Sequence, residues 1–288
     1  MSNTITQAFV KQWDTSIRLQ AQQKESRIAG NVFDRGTITG ESFTANRLAP
    51  LEDTPENTVR HGDTTWSEAE HSTRVAIMRD FYQALPVDRN DEPKLLANPL
   101  SGSYNESLQA AHNRRKDSIT FDALLGNSQT KDGGVIALPS SQIITASATG
   151  FTKAKLIAAR KMFRKNEADE HNGEELHIAY NADMLEDILS DTTLTSADFM
   201  AVKMLQDGDL SGRWMGFKWE PYERVKINGS TATTAAWAKS AVHFGTGFVE
   251  GKASRRADKK DLMQVSMAAS HGAVRVWEIG VVAIEFTF

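Results

Sequence analysis

Four groups of residues have types and spacings that could do chemistry. "DGDLSG" sets Asp207, Asp209 and Ser211 at alternate positions before Gly212, like the start of a calcium loop. Such a loop needs a bidentate glutamate at its twelfth position, which here is Lys218, so a tight turn fits better. "FGTGFVEG" spaces Gly245, Gly247 and Gly251 unlike a dinucleotide loop. The following "KASRRADKK" lacks the apolar face of a helix that would offer its N-terminus to a pyrophosphate, so a flexible glycine loop is expected. His171 and His177 flank Glu174 and Glu175; two of these could hold a metal, but no third ligand is indicated, and both histidines are expected at the surface. A serine nucleophile needs a sharp elbow or an adjacent base, and no G-x-S-x-G occurs. Asp183 and Asp187 read as charges at the start and on the surface of a helix. No catalytic, cofactor-binding or metal site emerges, and the chain is expected not to be an enzyme.

Composition agrees with a folded protein of ordinary type. The 288 residues suffice for one large domain or two smaller ones, with 40% hydrophobic and 24% charged residues. A net charge of -4 argues against a strongly electrostatic nucleic-acid binder, though not against a protein that surrounds nucleic acid. There is no cysteine, which excludes disulfides, thiolate nucleophiles and cysteine-ligated zinc. No apolar run predicts a membrane helix. Lys11, Asp14 and Arg18 stand where a signal peptide needs an apolar stretch, so synthesis and residence in a cytoplasm-like compartment are expected.

The elements that would position any site are easier to read. Phe9, Trp13, Ile17 and Ala21 recur at helical spacing within 5–29, a narrow stripe that fits either a core or another subunit. Residues 36–88 read as two extended segments around the turn-rich "LEDTPENTVRHGD", a hairpin that buries little by itself. "SGSYNESLQAAHNRRKDSITFDALLG" predicts a long polar helix over 103–126, stopped at Gly126. Its centre, His112–Asp117, fits a solvated face or a seam between subunits. Thr152 is placed to cap a helix running on from Lys153, "ELHIAY" reads as a strand, and "NADMLEDILSD" and "ADFMAVKMLQDG" as helices; "GRWMGFKWEPYERV" reads as turn plus strand. That alternation marks an α+β or α/β unit. The closing "SHGAVRVWEIGVVAIEFTF" is apolar on both faces, as a strand buried on both sides must be, and is either one long spine or two strands bent at Gly280.

The order of these parts resembles the major capsid proteins of tailed bacteriophages, with their HK-ninety-seven-like fold. "TITGESFTANRLAP" is similar to that family's opening strand of an extended loop, and "NPLSGSY" with Ala111, Arg114 and Asp117 resembles its spine-helix phrase. "LQDGDLSGRWMGFKW" resembles a turn of its axial domain, and "HGAVRVWEIGVVAIE" its terminal strand. The resemblance implies an α+β capsid fold. Its parts would be an N-terminal arm over 1–35, an extended β-hairpin loop over 36–88 and a peripheral domain over 89–148 with the spine helix. An axial α/β domain would follow over 149–264, and a return strand of the peripheral domain over 265–288, lying in a long sheet beneath the spine helix. It further implies self-assembly as hexamers and pentamers into an icosahedral shell around double-stranded DNA, without cofactors, membrane contact or sequence-specific DNA binding. Because the chain starts almost directly at the arm, the resemblance implies a separate scaffolding protein or none; a portal and a decoration protein are further expected partners. The lysine–asparagine cross-link of one branch has no match here. Phe9, Trp13, Trp66, Arg74, Arg114 and Arg115 are the expected inter-subunit contacts, and residues 1–88 are expected to depend on neighbours for stability. An encapsulin-type compartment is the alternative within the fold, and a metal-dependent hydrolase near His171–His177 the alternative outside it.

Overall fold

A computed structural model describes residues 20–89, 103–190 and 210–288, apart from single positions at 52, 55, 57, 59, 61, 65 and 211. In chain order its elements are β1 (Phe33–Thr37), β2 (Ser42–Leu48), β3 (His71–Ile77), β4 (Arg79–Val87), α1 (Ser103–Leu125), β5 (Ser128–Thr130), β6 (Val135–Ile136), β7 (Ile143–Ile144), α2 (Lys153–Lys165), β8 (Leu176–Tyr180), α3 (Ala182–Ser190), β9 (Arg213–Trp214), β10 (Phe217–Pro221), β11 (Lys226–Asn228), β12 (Thr231–Ala238), β13 (Val242–Arg256), β14 (Leu262–Arg275) and β15 (Val281–Thr287). They fall into two units. The larger takes in residues 26–80, 115–248 and 270–288, and the smaller residues 1–25, 81–114 and 249–269, each as far as described.

The larger unit is built on a mixed sheet ordered β7-β15-β12-β8-β10-β9, with β11 added at one end of β12. β8 is buried along its whole length, and β12 and β15 almost so, which is why their sequences are apolar at successive rather than alternate positions. α2 packs on β15 and β7. Its Leu156, Ala159 and Phe163 face inward, and Phe163 meets Phe217 edge-on with ring centroids 5.8 Å apart. Thr152 precedes α2 as expected, but its side chain makes no cap; its carbonyl accepts from the Lys155 and Leu156 amides instead. α3 is capped as its sequence implies, the Asn181 side-chain oxygen accepting from the Met184 amide at 3.0 Å. β9 and β10 form a tight hairpin through Met215 and Gly216, both at positive φ.

The helix expected over 103–126 is α1, but its polar centre is not simply a solvated face. Asp117 is fully buried and its carboxylate gathers the start of the described chain: the Ser26 hydroxyl at 2.6 Å and the amides of Arg27, Ile28 and Ala29 at 2.9–3.2 Å. Ile28, Ala29 and Val32 enter the same core as Phe121 and Leu124. The helix expected over 5–29 is therefore absent from 20–29, where the chain is irregular up to a 3-10 turn that begins at Ala29, while 5–19 and the helix expected at 197–208 lie outside the described residues.

One other expectation is corrected, and one choice left open by the sequence is decided. Val242–Arg256 is one continuous strand, not a strand followed by a glycine loop. The glycines belong to it because a Cβ on Gly245 would sit 2.7 Å from Ile38 and one on Gly247 3.0 Å from Ser270. The closing run is two strands. A single 3-10 turn at Glu278–Gly280 separates β14, in a four-stranded sheet ordered β1-β13-β14-β4, from β15. The C-terminal strand lies between β7 and β12 in the mixed sheet, and its Val281, Val282, Ile284 and Phe286 share a core with Phe121 and Leu124 of α1. Gly280 is the bend as expected, with space for no side chain: a Cβ there would meet Ala241 at 2.7 Å and the Trp277 ring at 3.0 Å.

Candidate inter-subunit surface

The 36–88 hairpin forms over β2 and β3, paired antiparallel from Ser42↔Ile77 to Leu48↔His71. Its base is not left to neighbours. Phe43, Ala45 and Ala76 are buried on Val274 and Val276 of the same subunit. Beneath them lies a charged anchor. Arg74 is 3% exposed and its Nη2 donates to Glu278 Oε1 at 2.9 Å, while Arg47 Nη1 reaches the other oxygen at 3.3 Å. Arg275, fully buried, donates to the carbonyls of Leu124 and Gly126 at 2.8 and 2.6 Å and of Ile136 at 3.2 Å. It thereby closes the C-terminal end of α1, where unpaired carbonyls attract a cation. Burial lowers the Arg275 pKa, with Glu278 opposing. Arg74, expected as a contact between subunits, is thus engaged inside its own, because a buried guanidinium needs a paired carboxylate.

Of the other expected contacts, Phe9 and Trp13 lie outside the described residues. Trp66 stands in the 49–70 connection, where it is 86% exposed, the most of any large apolar side chain described. Leu48 and Leu51 are also exposed, and every described residue from 51 to 70 except Ala69 is open to solvent. Arg114 donates to the Gln22 side chain at 2.6 Å and the Gln23 carbonyl at 3.2 Å, fastening the 22–24 segment to α1, and Arg115 is exposed on the same helix. The sequence reading missed Asp117, Arg275 and Glu278, although the last two carried a signal: charges inside a run apolar on both faces must be buried with partners.

Of the remaining candidates for chemistry, Asp207, Asp209 and Ser211 lie outside the described residues. His177 is buried, not exposed; it stacks on Trp237 at 5.7 Å and its Nδ1 lies 3.3 Å from Glu220. Among the described residues no three His, Asp or Glu side chains gather as a metal site. Lys155 is 6% exposed and donates to the carbonyls of Ala146, Thr149 and Gly150 at 2.8–2.9 Å; burial lowers its pKa while Asp187 and Glu285 oppose that. It holds a loop in place. No helix among the described residues is long and apolar enough to cross a membrane.

The β2–β3 pair is thus anchored at its base, and the 49–70 connection between its strands is exposed. No curated protein matches the chain in sequence. The structure is similar to one from Mycobacterium phage Che8, at 16% identity and a TM-score of 0.72 over 96% of this chain and 97% of that one. It is similar to one from Mycobacterium phage Ogopogo, at 12% identity and a TM-score of 0.72 over 100% of both chains. It is also similar to the capsid asymmetric unit of cyanophage Pam1, at 13% identity and a TM-score of 0.71 over 98% and 97%. The fold is the HK-ninety-seven-like capsid fold. The family model described as phage capsid protein matches residues 5–288, so that the chain belongs to the phage capsid protein family.

Proposed function

We propose that this chain is the major capsid protein of a tailed phage, a structural subunit that assembles as hexamers and pentamers into an icosahedral head enclosing double-stranded DNA. The family match over nearly the whole chain carries this reading. The comparisons give no support to an encapsulin or a hydrolase. In the assembled head, residues 1–35 act as the arm, the 36–88 hairpin reaches over the adjacent subunit, α1 is the spine helix, and 149–264 forms the axial domain. Partners are other copies of the chain, a separate scaffolding protein, a portal and a decoration protein. Assembly takes place in the host cytoplasm and the product resides in the virion. The exposed 49–70 segment with its Trp66 supports the hairpin's role, since a large aromatic left in water suits an interface. Many modest contacts of this kind sum to strong assembly.

Electron microscopy of the protein purified after co-expression with its scaffolding protein tests this. Closed shells of uniform diameter are expected. A lasting monomer under all conditions would overturn the reading, and efficient shell formation by the chain alone would remove the scaffolding partner.

A further inference from the structure

The 49–70 segment is strongly acidic. It carries Glu52, Asp53, Glu56, Asp63, Glu68 and Glu70 against a single Arg60, an excess larger than the whole chain's net charge of -4. Asp53, Glu56, Asp63, Glu68 and Glu70 are all exposed and make no ion pair among the described residues. Gathering like charges on one projection is unfavourable in an isolated subunit, and opposite charge on a partner relieves it.

The chain carries such a partner surface on its smaller unit. The tip of the β13–β14 hairpin holds Lys252, Arg255, Arg256, Lys259 and Lys260 against Asp258 and Asp261. Both carboxylates are already taken. Asp258 accepts from Arg256 at 2.6 and 2.8 Å, which holds its carboxyl well below the usual range, and Asp261 pairs with Arg89 at 3.1 Å. Lys252, Lys259 and Lys260 make no ion pair among the described residues and are exposed. Beside them is a groove lined by Tyr82, Lys252, Arg256 and Gln264 together with one carboxylate, Glu250, which leaves the cations in excess; in it Gln264 donates to the Tyr82 hydroxyl. Tyr82 is 65% exposed, so the groove offers an aromatic side chain and cations to an incoming indole.

We infer that the acidic 49–70 segment of one copy docks on the cationic β13–β14 tip of a second copy, with Trp66 seated in the groove beside Tyr82 and Arg256. The inference rests on the assembly reading above and adds to it the partner surface and the force that selects it. The charge on both sides is carried by each copy, so a shell of identical chains is matched everywhere in a fixed ratio. The contact is screened by salt, because the Debye length falls from about 10 Å at 0.1 M to about 3 Å at 1 M.

The test is a charge exchange in the full chain. One variant carries Asp63→Lys and Glu68→Lys, a second Lys252→Glu and Lys259→Glu, and a third all four. Assembly is followed by sedimentation velocity at 0.1 M and 1 M NaCl. Each reversal alone is expected to lower the association constant about tenfold at low salt, the fourfold variant to regain most of it, and the parent to weaken at 1 M. Should a reversal fail to fold, as judged by circular dichroism, Glu68→Gln and Lys252→Gln are expected to show sub-additive losses of smaller size. Additive losses without rescue, an effect of the loop variants alone, or an effect of the tip variants alone would overturn the pairing while leaving assembly intact; the last two would point to a different protein or to packaged DNA as the partner. A parent chain that never assembles, even when co-expressed with its scaffolding protein, would overturn the assembly reading as well.

Discussion

The Asp117 carboxylate shows how one residue joins two distant parts of the chain. It accepts three backbone amides and one hydroxyl from 26–29, satisfying donors that would otherwise be buried without partners. Asp117→Asn removes the charge and keeps only one of the two acceptor oxygens, turning an amide donor toward a buried backbone donor, and is expected to cost about 2–3 kcal/mol, read as a lower denaturant midpoint of the unassembled subunit. His243 is the residue that links stability to pH. Its Nδ1 accepts from Arg35 Nε at 3.1 Å, a bond that only the neutral ring can make. Burial, aided by the Arg35 charge, pushes its pKa down from 6.5 to about 4. A histidine depressed in the folded state binds its proton first in the unfolded chain. Its contribution is therefore complete above about pH 6.5 and is lost as pH falls toward about 4. His243→Gln is expected to flatten the melting temperature across that window; an unchanged slope would place the acid sensitivity elsewhere.

Elements depend on close approach as much as on pattern. β13 continues through "FGTGFVEG" because β1 and the hairpin base lie against Gly245, within 2.7 Å of where a Cβ would stand. Gly245→Val, although valine suits a strand, is expected to destabilise by about 2 kcal/mol through overpacking against Ile38 and Phe43. The opposite logic governs β15. Val282 is fully buried between β7 and β12, so Val282→Asp sets an unpaired carboxylate in the core. Loss of soluble folded protein is expected, and equal solubility would contradict the strand's position.

For the whole molecule, the relevant division is between groups spent inside the subunit and groups left outside it. Arg74, Arg275 and Glu278 are spent inside, holding the hairpin root and the end of α1. Trp66 is left outside. Trp66→Ala is expected to change the unfolding free energy of the subunit by no more than about 0.5 kcal/mol, while lowering shell yield at least tenfold in sedimentation. A variant that unfolds more easily but assembles normally would reverse that assignment.

The sequence by itself determined the elements whose signals are local. The span of α1, the Asn181 cap, the turn before β10 and the doubly buried closing run all follow from caps, turns and periodicity within a few residues. The order of those elements was enough to point to a capsid fold. Only the tertiary structure decided that the closing run divides, why glycines sit inside β13, and that Asp117 and Arg74 face inward. Each of these depends on what lies across the core from a residue: Ala241 against Gly280, Ile38 against Gly245, the 26–29 amides around Asp117, and Glu278 beside Arg74. Local pattern reports the environment a residue needs, whereas long-range packing decides which part of the chain supplies it.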